Sequence, residues 1–251
     1  MNEKTLPAVK VPEVTLAFWL IKIAATTLGE TGGDAVSMSM NLGYLVGTAI
    51  FAVIFAVAVL AQVRARVFHP LLYWLTIIAT TTVGTTLADF ADRSLGIGYT
   101  GGSTLLLTLL LLSLFAWHRT LGTIAVASVS TPRAEIFYWV TIMFSQTLGT
   151  ALGDWTADTE ALGYAGSAVV FGVLLALTAA AYRWTSISRT LLFWAAFVLT
   201  RPLGAVLGDL LDKPVDHGGL ALSRYTASLV LMVFIAAMLV LVPQRAAKRS
   251  H

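Results

Sequence analysis

Four copies of one spaced pattern run through the chain, and no other feature narrows its fold as far. From Trp19, a glycine follows at +10 (Gly29), an aspartate at +15 (Asp34) and a Gly-Tyr pair at +24 and +25 (Gly43, Tyr44). Trp74 leads at the same offsets to Gly84, Asp89, Gly98 and Tyr99, and Trp139 leads to Gly149, Asp154, Gly163 and Tyr164. Trp194 leads to Gly204, Asp209 and Gly218, with Gly219 in place of the tyrosine. The tryptophans are 55, 65 and 55 residues apart, the spacing of a duplicated pair that was duplicated again. A fixed period of this length marks a tandem-repeat architecture. The units fall at 14–66, 67–120, 135–186 and 187–243, with a connector at 121–134 and tails at 1–13 and 244–251.

Each unit predicts two helices. The first runs from just before the tryptophan to the aspartate, roughly 20 residues, enough to cross a hydrocarbon layer of about 30 Å. A polar stretch follows, and then an apolar run such as YLVGTAIFAVIFAVAVLAQ. Composition agrees: 57% of the 251 residues are hydrophobic and 12% charged, against about 25% charged in soluble domains. That excludes a water-soluble enzyme and a disordered chain. The absence of cysteine excludes disulfides, thiolate metal sites and cysteine nucleophiles. The expected fold class is an all-α integral membrane protein with eight transmembrane helices from four tandem two-helix repeats.

The few charges divide by side. The tails and the links between units carry eleven bases (Lys4, Lys10, Arg64, Arg66, Arg119, Arg133, Arg183, Arg189, Arg245, Lys248 and Arg249) against Glu3, Glu13 and Glu135. The loops inside the units carry Arg93, Lys213 and Arg224 against ten acids: Glu30, Asp34, Asp89, Asp92, Asp154, Asp158, Glu160, Asp209, Asp212 and Asp216. Basic loops stay in the cytoplasm, so both termini are expected there, in a multi-pass protein of the bacterial inner membrane. The formal net charge of +3 then reflects topology, and nucleic acid is not an expected partner. The start, MNEKTLPAVKVPE, is too polar for a cleavable signal peptide.

The repeated aspartates Asp34, Asp89, Asp154 and Asp209 are the leading candidate site, joined by Glu30. A carboxylate at the C-terminal end of a helix faces a negative dipole. Four such placements ask for a bound cation, or else for capping bonds to the amides that start the next helix. Beneath them lies a candidate polar path or gate. It holds Thr26, Thr81, Gln146 and Arg201 at +7 and Thr27, Thr82 and Thr147 at +8, where unit four has Pro202. Lys22 lies one turn further down, in register with Thr26 and Glu30, and Glu30 is expected to pair with Lys22 or Arg201. Small residues four apart, such as Gly29/Gly33 and Gly149/Gly153, read as helix-packing notches. The four tryptophans read as an interfacial belt. Met38 and Met40 do not make a copper box, and no catalytic triad or phosphate loop is present.

The pattern W-x7-[TP]-x-G-x4-D-x8-G-[YG], carried by TLGETGGD, TLADFAD, TLGTALGDWTAD and PLGAVLGD, resembles a bacterial membrane family of four tandem two-helix repeats. That family is described as a repeat of unknown function, an uncharacterised membrane-anchored protein. The resemblance implies the fold and no activity. From the residues themselves the expectation is a small transporter of a hard divalent cation and/or protons, with no enzymatic activity. No cofactor is required; a bound divalent cation at Asp34, Asp89, Asp154 and Asp209 is the one candidate. The alternatives are a structural or sensory protein with capping aspartates, and an anion carrier using Lys22 and Arg201. The expected partners are the bilayer and a small ion, with a homo-oligomer left open.

Overall fold

The computed structural model describes residues 9–159 and 162–247; Glu3, Lys4, Glu160, Lys248 and Arg249 lie outside the described residues. Among those described, the fold is all-helical: α1 (Leu16–Asp34), α2 (Gly43–Arg64), α3 (Pro70–Asp89), α4 (Tyr99–Leu121), α5 (Pro132–Asp154), α6 (Gly163–Trp184), α7 (Arg189–Asp212) and α8 (Arg224–Leu241). Starts follow local chemistry. Thr15, Thr131 and Ser188 each accept a backbone N–H of the first turn, and Pro70 and Pro132 sit where a missing N–H costs nothing. Six helices, all but α1 and α5, are long and apolar enough to cross a membrane. Those two carry Lys22, Glu30 and Asp34, and Glu135, Gln146 and Asp154.

The odd-numbered helices form an inner ring in which α1 packs on α3, α3 on α5, α5 on α7 and α7 back on α1. The even-numbered helices lie outside it. Each second helix packs on the first helix of the next unit: α2 on α3, α4 on α5, α6 on α7, and α8 on α1. The closing contact between units four and one makes the four hairpins a cycle. It also leaves the outer helices with broad exposed apolar faces, as at Val53, Val57, Leu111, Leu177 and Val233.

The repeated glycines acquire two separate reasons. At +24, Gly43, Gly98, Gly163 and Gly218 all have φ between 63° and 83°, a left-handed backbone that only glycine adopts freely. At +10, each glycine is a notch for the +7 side chain of the next unit. A Cβ on Gly29 would strike Thr81, on Gly84 the Gln146 backbone and Cβ, on Gly149 Arg201, and on Gly204 Thr26. The turn after the aspartate also differs from expectation. In units one to three the helix continues as a π-helical turn (Ala35–Ser39, Phe90–Ser94, Trp155–Thr159), so the aspartate is not at a free helix end. In unit four α7 runs on to Asp212, and α8 begins only at Arg224.

The tryptophans do not form an interfacial belt. Trp74, Trp139 and Trp194 are buried, and Trp19 is partly buried against the same core. Each packs on the residue preceding the tryptophan of the previous unit: Phe18 on Trp74 (5.4 Å between ring centres), Tyr73 on Trp139 (5.7 Å), Tyr138 on Trp194 (6.3 Å) and Phe193 on Trp19 (5.8 Å). The inner ring is therefore plugged by aromatics at one end, where the Tyr73 and Tyr138 hydroxyls meet at 2.6 Å. Tyr73→Phe leaves Tyr138 without its buried partner and is expected to cost about 1–2 kcal/mol. Changing both tyrosines to Phe, the residue of units one and four, should recover most of that loss in a thermal melt. Equal losses for the single and double variants would show that the pair carries no coupling.

Candidate functional site

At the end opposite the aromatic tier, the +15 aspartates are buried, at 1–3% exposure. Two of their partners, Arg93 and Lys213, are cations not assigned to them from the sequence; the third, Arg224, is expected there to pair with an outer aspartate and lies near Asp34. Arg93 Nε lies 3.0 Å from Asp89 and its Nη2 lies 3.3 Å from Asp154. Lys213 Nζ lies 2.6 Å from Asp34 and 3.0 Å from Asp209. Arg93 and Lys213 occupy the same repeat position, +19, in units two and four. Each bridges its own aspartate, one turn back, to the aspartate of the next unit. The ring of four carboxylates is thus closed by two bases with twofold logic, matching the duplicated pair. The signal was available in the shared offset; it is hidden because units one and three carry Met38 and Asp158 there.

None of the four aspartates accepts a backbone amide among the described residues, and the second helices α2, α4 and α6 have no side-chain caps. The capping arrangement considered for them is therefore not formed. Helix continuation is the reason: a π-helical turn in units one to three, and α7 itself in unit four, carries the chain past the aspartate, so the amides nearby are already bonded. Burial opposes the charge on Lys213, yet Asp209 and Asp34 hold its ammonium well above the usual lysine range. Arg224, the first residue of α8, joins this half of the ring, 3.1 Å from Asp212 and 3.7 Å from Asp34.

One turn toward the centre, Glu30 meets Arg201, Nη2 to Oε2 at 2.9 Å. Of the two expected pairings, this one forms. The same Nη2 reaches the hydroxyls of Thr85 and Thr150, each at 2.5 Å. Arg201 from unit four thus touches the +11 residue of each other unit, so its guanidinium sits on the axis of the ring. Thr85 and Thr150 belong to the site and were passed over because threonine at +11 resembles ordinary helix packing. Glu30 also approaches the ring of aspartates: carboxylate oxygens of Glu30, Asp34 and Asp209 all lie within 4.8 Å of one another.

The rest of the expected path is only partly joined. Thr26 donates to the Lys22 and Ile23 carbonyls of its own helix and reaches the Thr200 carbonyl of α7 at 3.1 Å. Thr81 and Gln146 are buried with side-chain atoms lacking protein partners. The +8 threonines turn away: Thr27, Thr82 and Thr147 each bond the carbonyl four residues back on their own helix. A hydroxyl in a helix satisfies itself this way, so these three do not contribute to the axis. Lys22 is fully buried, with no carboxylate partner among the described residues. Its Nζ is 3.4 Å from Thr200 Oγ1 and lies 4.2 Å above the centre of the Phe197 ring.

A cyclic bundle of tandem two-helix units, with a charged tier across one end and an arginine on its axis, defines an all-helical repeat protein, six of whose described helices are long and apolar enough to cross a membrane. The family model for the Repeat of Unknown Function (DUF347) matches residues 17–68, 72–123, 137–188 and 192–244, and the chain belongs to that family. No curated protein and no solved structure matches it.

Proposed function

We propose that the protein is a small carrier of the bacterial inner membrane that exchanges a hard cation, of the Mg²⁺, Mn²⁺ or Ca²⁺ kind, for protons. It would cross the membrane eight times with both termini in the cytoplasm, and the two less apolar helices, α1 and α5, are sheltered in the inner ring. The excess of bases on the tail and link side supports this orientation. The acidic tier then faces outward.

One observation carries the cargo. Glu30, Asp34, Asp209 and Asp212 are four carboxylates, and the bases within ion-pair reach of them are Arg201, Lys213 and Arg224. One negative charge is left without a counter-charge, in a buried cluster where carboxylate oxygens converge. Burial makes such a charge costly, so it recruits a proton or a cation. All-oxygen donors favour hard ions over soft ones. Arg201 and the aromatic tier below it close the axis, so passage requires the inner helices to move. That favours a carrier over an open channel, and transport over catalysis.

The test is flux in liposomes containing the purified protein and a trapped pH dye. A gradient of Mg²⁺, Mn²⁺ or Ca²⁺ should drive proton movement, and Asp209→Asn should abolish it while the protein remains monodisperse. No proton movement with any of the three metals overturns the reading. Lost monodispersity with unchanged flux per folded protein makes the aspartates structural. One observation favours a second reading, an anion carrier: Lys22 is a buried lysine with no carboxylate partner among the described residues. In that case the same vesicles dissipate a chloride or phosphate gradient instead, and Lys22→Met silences them.

A further inference from the structure

We propose that a lateral cavity between α1, α6 and α7 holds one acyl chain of an anionic phospholipid from the cytoplasmic leaflet. The cavity has a volume of about 470 Å³ and an apolar wall that includes Trp19, Ile23, Leu175, Leu192, Phe193 and Ala196. Its lining runs along α7 from Arg189 to Thr200, a depth of about 16 Å at the rise of an α-helix. Val14, Thr15, Tyr182 and Arg189 line the cavity at the basic end of the bundle, and the apolar wall runs inward from them. A headgroup at the interface with one chain inside matches that layout.

The cyclic fold shows why this groove is special. At the other three tryptophans the chain itself completes the packing. The connector supplies Val126 and Val129 to the core, and its Ile124 carbonyl accepts Trp194 Nε1 at 3.0 Å. The N-terminal segment places Val11 in the same core. Lys10 ties that segment to Glu135 at 2.6 Å, and the C-terminal segment bonds to it from Ala247 N to Val11 O at 2.8 Å. Trp74, Trp139 and Trp194 are accordingly 1–3% exposed. Trp19 alone of the four is not fully buried, and it lines the cavity. Among the described residues, none fills this fourth position of the repeat, and the proposed acyl chain takes that place.

Charge identifies the headgroup. Arg189 lines the basic end of the cavity with its guanidinium 4.4 Å above the Tyr182 ring, and it donates to the Tyr182 carbonyl. Arg189 is exposed, so its five N–H groups can also meet a phosphate, and Arg183 lies six residues before it in the last turn of α6. Basic groups at the cytoplasmic surface attract anionic lipid. The groove also borders the α1–α7 seam that carries Glu30 and Arg201, since Thr200 and Ile23 form its inner end.

The inference rests on the membrane placement and not on the cargo, so a failed flux test leaves it standing. The test is native mass spectrometry of the purified protein in mild detergent, offered phosphatidylglycerol or phosphatidylcholine. One phosphatidylglycerol per chain should be retained, with about a fivefold preference over phosphatidylcholine. Arg189→Gln should erase the preference, and Ala196→Trp should erase retention by filling the groove. Ala179→Leu serves as a second filling variant should Ala196→Trp not stay monodisperse. Equal retention of the two lipids by the wild type overturns the proposal. So does unchanged phosphatidylglycerol on a monodisperse filled variant, or a second copy of the chain seated there instead of lipid.

Discussion

Arg201→Met is expected to destabilise the protein by about 3–5 kcal/mol, the range for removing one member of a buried ion pair. The loss has a specific origin. Arg201 is fully buried and Glu30 is 3% exposed. Without the guanidinium, Glu30 must take up a proton or hold an uncompensated charge in the interior. The Thr85 and Thr150 hydroxyls also lose their common partner. Methionine keeps much of the stem that lies against Gly149, so the packing there is largely preserved and the deficit is electrostatic. The double variant Arg201→Met/Glu30→Gln should therefore recover more than half of the loss, because replacing both members of a buried pair is far less costly than removing one. Thermal unfolding in detergent, followed by loss of the monodisperse peak, measures both. Additive losses in the double variant would show that Glu30 and Arg201 are not energetically coupled.

A pairing of Glu30 with Lys22 or Arg201 was readable in advance, because Glu30 and Arg201 are the sole charges at +11 and +7 and Lys22 shares a helix face with Glu30; the structure decides for Arg201. The repeats themselves were equally legible, since a Trp, a Gly, an Asp and a Gly at constant offsets survive divergence of everything between them. Helix partnership was not. Hydropathy shows that two helices follow one another and says nothing about whether the second folds back on the first or onto the next unit. The direction in which each second helix leaves the first depends on the π-helical turn in units one to three and on the loop between Asp212 and Arg224 in unit four, and neither has a sequence signature here. The tryptophans were misplaced for a related reason. A tryptophan near a helix end suits an interface and a core equally well, and its neighbour in the preceding unit, Phe18 against Trp74 or Tyr73 against Trp139, decides between them. Arg93 and Lys213 were visible as charges but not as a pair, because a position occupied by bases in only alternate units does not register as a fourfold repeat.

Gly204→Leu should produce the second large loss, and it tests the closing contact of the cycle. Gly204 of α7 lies against α1 so closely that a Cβ there would overlap the Thr26 side chain and come within 2.9 Å of its backbone carbon. Thr26 cannot give way easily. It is β-branched and stiff at χ1, it is fully buried, and its hydroxyl is tied to carbonyls of both α1 and α7. The clash must then be relieved by separating the two helices, the same pair that carries Glu30 and Arg201 and that joins unit four to unit one. Overpacking a tight core costs about 1–3 kcal/mol, occasionally more; with a backbone contact and an ion pair both at stake, the upper end or beyond is expected. Gly172→Leu in α6 is the control. It adds the same side chain to a helix interior, where a Cβ meets nothing within 4 Å, so it should be close to neutral. The discriminating measurement is the difference in unfolding midpoint between the two variants. Equal midpoints would mean that α1 and α7 tolerate separation, and that the bundle is an open chain of hairpins held mainly by its neighbouring units and not a closed ring.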